Sequence, residues 1–141
     1  MKYVIILFIL SFSQLFSISS EKVEAKIIMS MLNSITSHTN LLIYTDSKKI
    51  KKTLLRDEIT FINDCNSADI AILESDEIVT KCKNTTIITL KYDLLKIYLN
   101  SVGSFFWQKG RPNIVFIESR LRDKNITIDS DFHDFVEENI W

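Results

Sequence analysis

The chain reads as a single α/β domain: a mostly parallel sheet flanked by helices, with a C-terminal β-hairpin and a closing helix. Three observations predict this. The runs "EITFIND" (58–64), "ADIAILE" (68–74) and "TTIITL" (85–90) are rich in Ile and Thr, whose branched side chains suit a pleated, buried surface. Their near-continuous apolar character, rather than strict alternation, is expected of strands covered on both faces. Stretches with helical spacing separate such runs, and that alternation belongs to layered α/β folds.

In chain order, "EKVEAKIIMSMLNSITS" (21–37) places Val23, Ile27, Ile28, Met31, Leu32 and Ile35 on one helical stripe. "NLLIYT" (40–45) predicts a buried strand, and Asp46 or Ser47 can cap the helix that follows. In that helix Ile50, Leu54 and Leu55 are expected to face inward. Lys48, Lys49, Lys51 and Lys52 face out as a solvated surface, with anion binding as the alternative.

After the three Ile/Thr runs, "YDLLKIYLNSV" (92–102) predicts another helix with Leu94, Leu95, Tyr98, Leu99 and Val102 inward. Gly103 stands where a glycine would end it. "SFFWQ" and "NIVFIE" around "KGRP" predict a hairpin, and Pro112 belongs at the start of its second strand or at an edge. "SRLRDKN" predicts a short helix and "ITI" a brief extended piece. "DSDFHDFVEENIW" then aligns Phe132, Phe135, Val136 and Ile140 as a closing amphipathic helix, capped by Asp129 or Ser130.

The first nineteen residues stand apart from this domain, which spans 20–141. Lys2, the apolar run "YVIILFILSF" and the small residues Ser17 and Ser19 have the layout of a secretory signal peptide cut before Ser20. The run is too short for a membrane span, which needs about 20 apolar residues. An uncleaved N-terminal anchor is the competing reading. The mature chain is therefore expected in the periplasm, without direct membrane insertion. Scarce Gly and Pro with abundant Ile, Lys and Asn suggest an AT-rich coding bias, consistent with a bacterial source.

The formal net charge is −1, and removal of Lys2 makes it more negative. That balance favours neither nucleic acid nor an anionic membrane surface, both of which call for a basic excess. Cys65 and Cys82 are the two cysteines. In an oxidising compartment an isolated pair is most simply a disulfide, and a strand out followed by a helix or turn back can bring them level. Free thiols or a redox-responsive pair are the other readings; their spacing excludes C-x-x-C chemistry.

No catalytic motif emerges. The sequence holds no G-x-S-x-G elbow, P-loop or dinucleotide turn, so no cofactor is expected. His133 and Glu137 lie four apart, but a surface pair explains them better than a metal site. Asp129, Asp131 and Asp134 lack the glycine of a calcium loop. No metal site or enzymatic activity is expected. In "GSFFWQKGRPNIVFIESRL" (103–121), alternation puts Phe105 and Trp107 on one face and Phe106 and Gln108 on the other. Most of this hairpin is expected to be core. Trp107, Lys109 and Arg111, near its turn, are the candidate partner contacts, because Trp and Arg often dominate interface energies.

The segment "TTIITLKYDLLKIYLNSVGSFFWQKGRPNIVFIESRLRDKNITIDSDFHDFVEENI" (85–140) resembles the YfiR-like family of small periplasmic regulators in its order of elements. The earlier "CNSADIAILE" is similar too. The family's first helix usually runs into an aromatic-rich segment ending in Trp and Pro, which "MLNSITSHTN" lacks. Its second hairpin strand commonly ends in Asn, where Glu118 and Ser119 stand here. The resemblance implies a non-enzymatic protein that binds and restrains an inner-membrane signalling protein, either a diguanylate cyclase or a sensor histidine kinase. A periplasmic small-ligand-binding or sensor module, serving a transporter, is the alternative. A homodimer is compatible with both.

Overall fold

The computed structural model describes residues 20–140, so the expected leader, residues 1–19, lies outside the described residues. Helix α1 covers 20–35, followed by β1 (Leu41–Thr45), α2 (Lys48–Thr53) and β2 (Ile59–Phe61). A 3-10 turn at Cys65–Ser67 leads to β3 (Ile70–Leu73) and β4 (Thr86–Thr89). A second, at Tyr92–Lys96, leads to β5 (Ser101–Gln108), β6 (Arg111–Ile117) and α3 (Glu118–Asp123). A third, at Ser130–Phe135, ends in β7 (Val136–Glu137).

The strands form one seven-stranded sheet in the order β2-β1-β3-β4-β5-β6-β7. Every neighbouring pair is parallel except the β5–β6 hairpin. The expected α/β class is therefore the observed one. Its pleat divides the apolar residues between two cores. On one face α1 and α2 pack on Ile43, Ile70, Ile72, Ile88 and Phe105, joined by Leu121, Ile128 and Phe132 from the C-terminal segment. On the other, Ala71, Leu73 and Ile87 meet Cys65, Cys82, Leu94 and Tyr98. Val115 and Ile117 meet Leu95 there. This second face is covered by 3-10 turns and loops rather than α-helices.

Several expected elements differ. Residues 92–102 are not one helix: the 3-10 turn stops at Lys96 and β5 starts at Ser101. Pairing of Ser101–Ser104 with β4 and complete burial of Val102 outweigh the helical pattern, leaving Leu99 74% exposed. Gly103 lies within the hairpin and not at a helix end. A Cβ there would meet the Val115 carbonyl oxygen at 2.5 Å and Phe116 Cδ1 at 2.8 Å. Leu55, expected inward, is 71% exposed just past the end of α2. On α1 the buried stripe runs through Glu24, Ala25, Ile28, Met31 and Leu32, with Val23 outside it.

The closing helix is instead the 3-10 turn at Ser130–Phe135 plus β7. Phe132 packs edge-on against Phe116 at 5.6 Å, and the chain then extends so that Val136 and Glu137 pair with Phe116 and Ile117. Asp129 makes no side-chain cap, and Phe135 is left exposed. The "ITI" piece forms no strand.

The hairpin itself is as expected. Lys109 (φ 50) and Gly110 (φ 73) form a two-residue turn with two positive φ values, the requirement of a type I′ connection. Gln108 and Arg111 close the turn, which makes Trp107 and Pro112 the next, non-hydrogen-bonded pair. Pro112 thus turns its missing donor away from β5, and β7 reaches only as far as Phe116 along that side.

Candidate functional site

Burial along the hairpin falls off toward the turn: β5 is buried through Phe105 and exposed from Trp107, while β6 starts exposed and is buried from Val115. Trp107 is 39% exposed, yet it is not loose. Its ring stands edge-on to Phe105 at 6.0 Å, and its indole Nε1 donates to Glu24 Oε2 at 3.0 Å. Glu24, only 4% exposed on α1, also accepts from Lys49 Nζ at 2.7 Å. One carboxylate oxygen therefore joins α1, α2 and the hairpin. An acid four positions before Ile28, on the buried stripe, was the signal for this group; the sequence reading of α1 passed over it.

The three expected contact residues do not form one patch. The pleat sends Trp107 to the α1 side and Arg111 to the opposite face, with Lys109 in the turn between them. Lys109 and Arg111 share an open hollow of about 470 Å³ with Gln108 and Asn113. The Asn113 carboxamide donates to the Arg111 carbonyl at 3.0 Å, which stiffens the start of β6.

On the Arg111 side, a larger open groove of about 640 Å³ runs along the hairpin. Phe106, Asn113 and Val115 line it from the sheet, and Tyr92, Asp93 and Glu137 from below. Phe106 meets Tyr92 edge-on at 5.6 Å, and the Tyr92 hydroxyl donates to Glu137 Oε2 at 3.2 Å. Aromatic walls with carboxylate and amide groups suit adaptable contacts, either to a protein segment or to a small polar ligand.

Cys65 and Cys82 are joined as a disulfide with Cα atoms 5.4 Å apart. Hydrogen bonds surround the bridge. Asn66 Nδ2 donates to the Lys81 carbonyl at 2.6 Å, Asn100 Nδ2 contacts the carbonyls of Cys82, Lys83 and Thr85, and the Thr85 hydroxyl donates to the Cys65 carbonyl. Arg120 on α3 binds the second face similarly. Its guanidinium donates to the carbonyls of Leu95, Tyr98 and Ser101 and to the Ser101 hydroxyl. Burial lowers its pKa, yet an Arg starts so high that it remains charged.

His133 borders a separate hollow with Glu118 and Arg122, whereas Glu137 is engaged by Tyr92. The break from 3-10 turn to strand places them on different surroundings. Among the described residues no group of three or more His, Cys, Asp or Glu side chains could hold a metal ion. Of the lysine run, Lys48, Lys51 and Lys52 are exposed, while Lys49 is committed to Glu24. Among the described residues no helix is long and apolar enough to cross a membrane.

Tyr98 makes the stability of the fold depend on pH at the alkaline end. Its hydroxyl donates to the Ser75 carbonyl at 2.7 Å, and burial, aided by the Asp46 charge, pushes its pKa up to about 12. An unfolded phenol ionises near about 10. The folded state thus favours the neutral phenol; that stability is complete below about pH 10 and is lost as the pH rises toward about 12. Tyr98→Phe is expected to flatten the fall in urea midpoint across this window. An unchanged alkaline slope in the variant would count against the assignment.

No family model matches the chain, and no curated protein matches it.

Proposed function

We propose that the chain is a non-enzymatic, exported regulatory protein of the periplasm that binds and modulates an inner-membrane signalling protein, a diguanylate cyclase or a sensor histidine kinase. The observation that carries this reading is the hairpin end: an indole held in place by Glu24, with Lys109 and Arg111 beyond it, on a rigid two-strand support. A pre-set indole of this kind loses little freedom on binding, and Trp and Arg are frequent energetic anchors of interfaces. The Cys65–Cys82 bridge fits an oxidising compartment. The resemblance of residues 85–140 to the YfiR-like family supplies the class of partner.

The test is recovery of a membrane protein from solubilised membranes with the mature chain as bait. Wild type is expected to retain a signalling protein, and Lys109→Ala with Arg111→Ala to lose it. As exposed changes, these two should each alter stability by no more than about 0.5 kcal/mol. A folded wild-type bait that retains no membrane protein would overturn the proposal.

The groove beside Phe106 favours a second reading, a small-ligand module, since about 640 Å³ falls within the range of ligand sites. A ligand-dependent rise in melting temperature, without a membrane partner, would support that reading instead.

A further inference from the structure

The segment Asp123-Lys124-Asn125-Ile126-Thr127 carries a modification signal outside the hairpin. Asn-Ile-Thr is an N-glycosylation acceptor triplet, with a residue other than Pro in the middle. The stricter form of this signal, read by transferases that act on exported chains, adds an acid two positions before the asparagine, where Asp123 stands. We infer that Asn125 accepts an N-linked oligosaccharide. The inference rests on the export half of the reading above and not on the partner.

The fold presents this triplet well. Asn125 follows α3 in the left-handed region (φ 54). Its N–H donates to the Arg122 carbonyl at 3.0 Å, and the Ile126 N–H reaches back to the Leu121 carbonyl at 2.9 Å. That pair of bonds is a Schellman close, in which Asn is the usual substitute for Gly. Backbone conformation alone would explain an asparagine here. It does not explain an exposed Thr two residues later, nor an exposed Asp two residues before. Asn125 is itself exposed, and among the described residues its carboxamide makes no hydrogen bond within the fold. Residues 126–129 belong to neither helix nor strand, so they can enter a transferase without breaking a ladder.

The chain contains a natural contrast. Asn84-Thr85-Thr86 has the same triplet, without the acid. Thr86, though, starts β4 and pairs with Ile70, while Thr85 is 4% exposed with its hydroxyl on the Cys65 carbonyl. Presenting Asn84 would require taking apart the strand beside the disulfide. A folded chain therefore offers Asn125 and withholds Asn84.

The reaction takes its sugar from a polyprenyl-pyrophosphate oligosaccharide. Asn125 Nδ2 attacks the anomeric carbon and forms the N-glycosidic bond. The bond from that carbon to the pyrophosphate oxygen breaks, the polyprenyl pyrophosphate leaves, and Nδ2 gives up one proton to the transferase base. The glycan would emerge past the Ile117 end of β6. A seven-residue strand spans about 23 Å, so the Arg111 end stays clear.

The experiment incubates the purified, folded chain with an acid-requiring oligosaccharyltransferase and a polyprenyl-pyrophosphate oligosaccharide, then maps peptides by mass. One oligosaccharide is expected on the peptide containing Asn125 and none on that containing Asn84. Thr127→Ala and Asp123→Ala should each lose the modification with an unchanged melting temperature. Asn125→Gly should also lose it while keeping the fold, since Gly suits the left-handed position. An unmodified Asn125 beside a modified control peptide would overturn the inference, as would equal modification of Asn84. No partner or membrane enters the assay, so its failure is distinct from failure of the pull-down.

Discussion

Phe116→Ala is expected to bring the domain close to unfolding. The ring is fully buried near the C-terminal end of β6 and meets Phe132 edge-on. It also fills the space that Gly103, having no side chain, leaves on the facing strand. Removing a buried Phe costs about 3–5 kcal/mol, against about 5–15 kcal/mol for the whole stability of a typical domain. In urea the midpoint should fall steeply with little change in slope. A loss below about 1 kcal/mol would mean that the hairpin does not sit against the C-terminal segment as described.

Loss of the Cys65–Cys82 bridge is the second large effect. The cysteines are 17 positions apart, and closing a loop of that length contributes about 3 kcal/mol in the chain-entropy account. Cys65→Ser and Cys82→Ser each remove the same cross-link, so both should lower stability by similar amounts. Reduction of the wild type should lower its melting temperature to the same level. Because Asn66, Asn100 and Thr85 hold the same loop by hydrogen bonds, the reduced chain should still fold at room temperature. Strongly unequal single-variant effects, or two free thiols in protein taken from the exported fraction, would argue against a structural bridge.

Much of this arrangement was legible in the residues because burial on two sides leaves a continuous apolar record. Ile70, Ala71, Ile72 and Leu73 read as a doubly covered strand and are one. The hairpin was legible for another reason: only a glycine-containing turn separates its two apolar runs. What escaped the sequence was set by partners distant in the chain. Residues 92–102 have good helical spacing, but the choice between helix and strand was made by β4, which a local pattern does not contain. The end of the chain likewise becomes β7 because β6 offers it an edge at Phe116 and Ile117. Glu24 and Trp107 are 83 positions apart, and nothing local announces their bond. The separation of Trp107 from Arg111 onto opposite faces has a simpler cause: across a two-residue turn, residues an odd number apart share a face, and these two are four apart.

The outward turn of Pro112 has a consequence for association. A strand edge with free donors and acceptors invites any extended peptide to lengthen the sheet, and that route leads to aggregates as readily as to complexes. Along the exposed part of β6 the position that should supply a donor has none, and the charged Arg111 sits beside it. Backbone templating is thereby blunted at the place where the hairpin leaves the cover of the domain. A protein that uses this end must recognise it by side-chain shape and charge, which permits selectivity while leaving neighbouring copies of the chain apart.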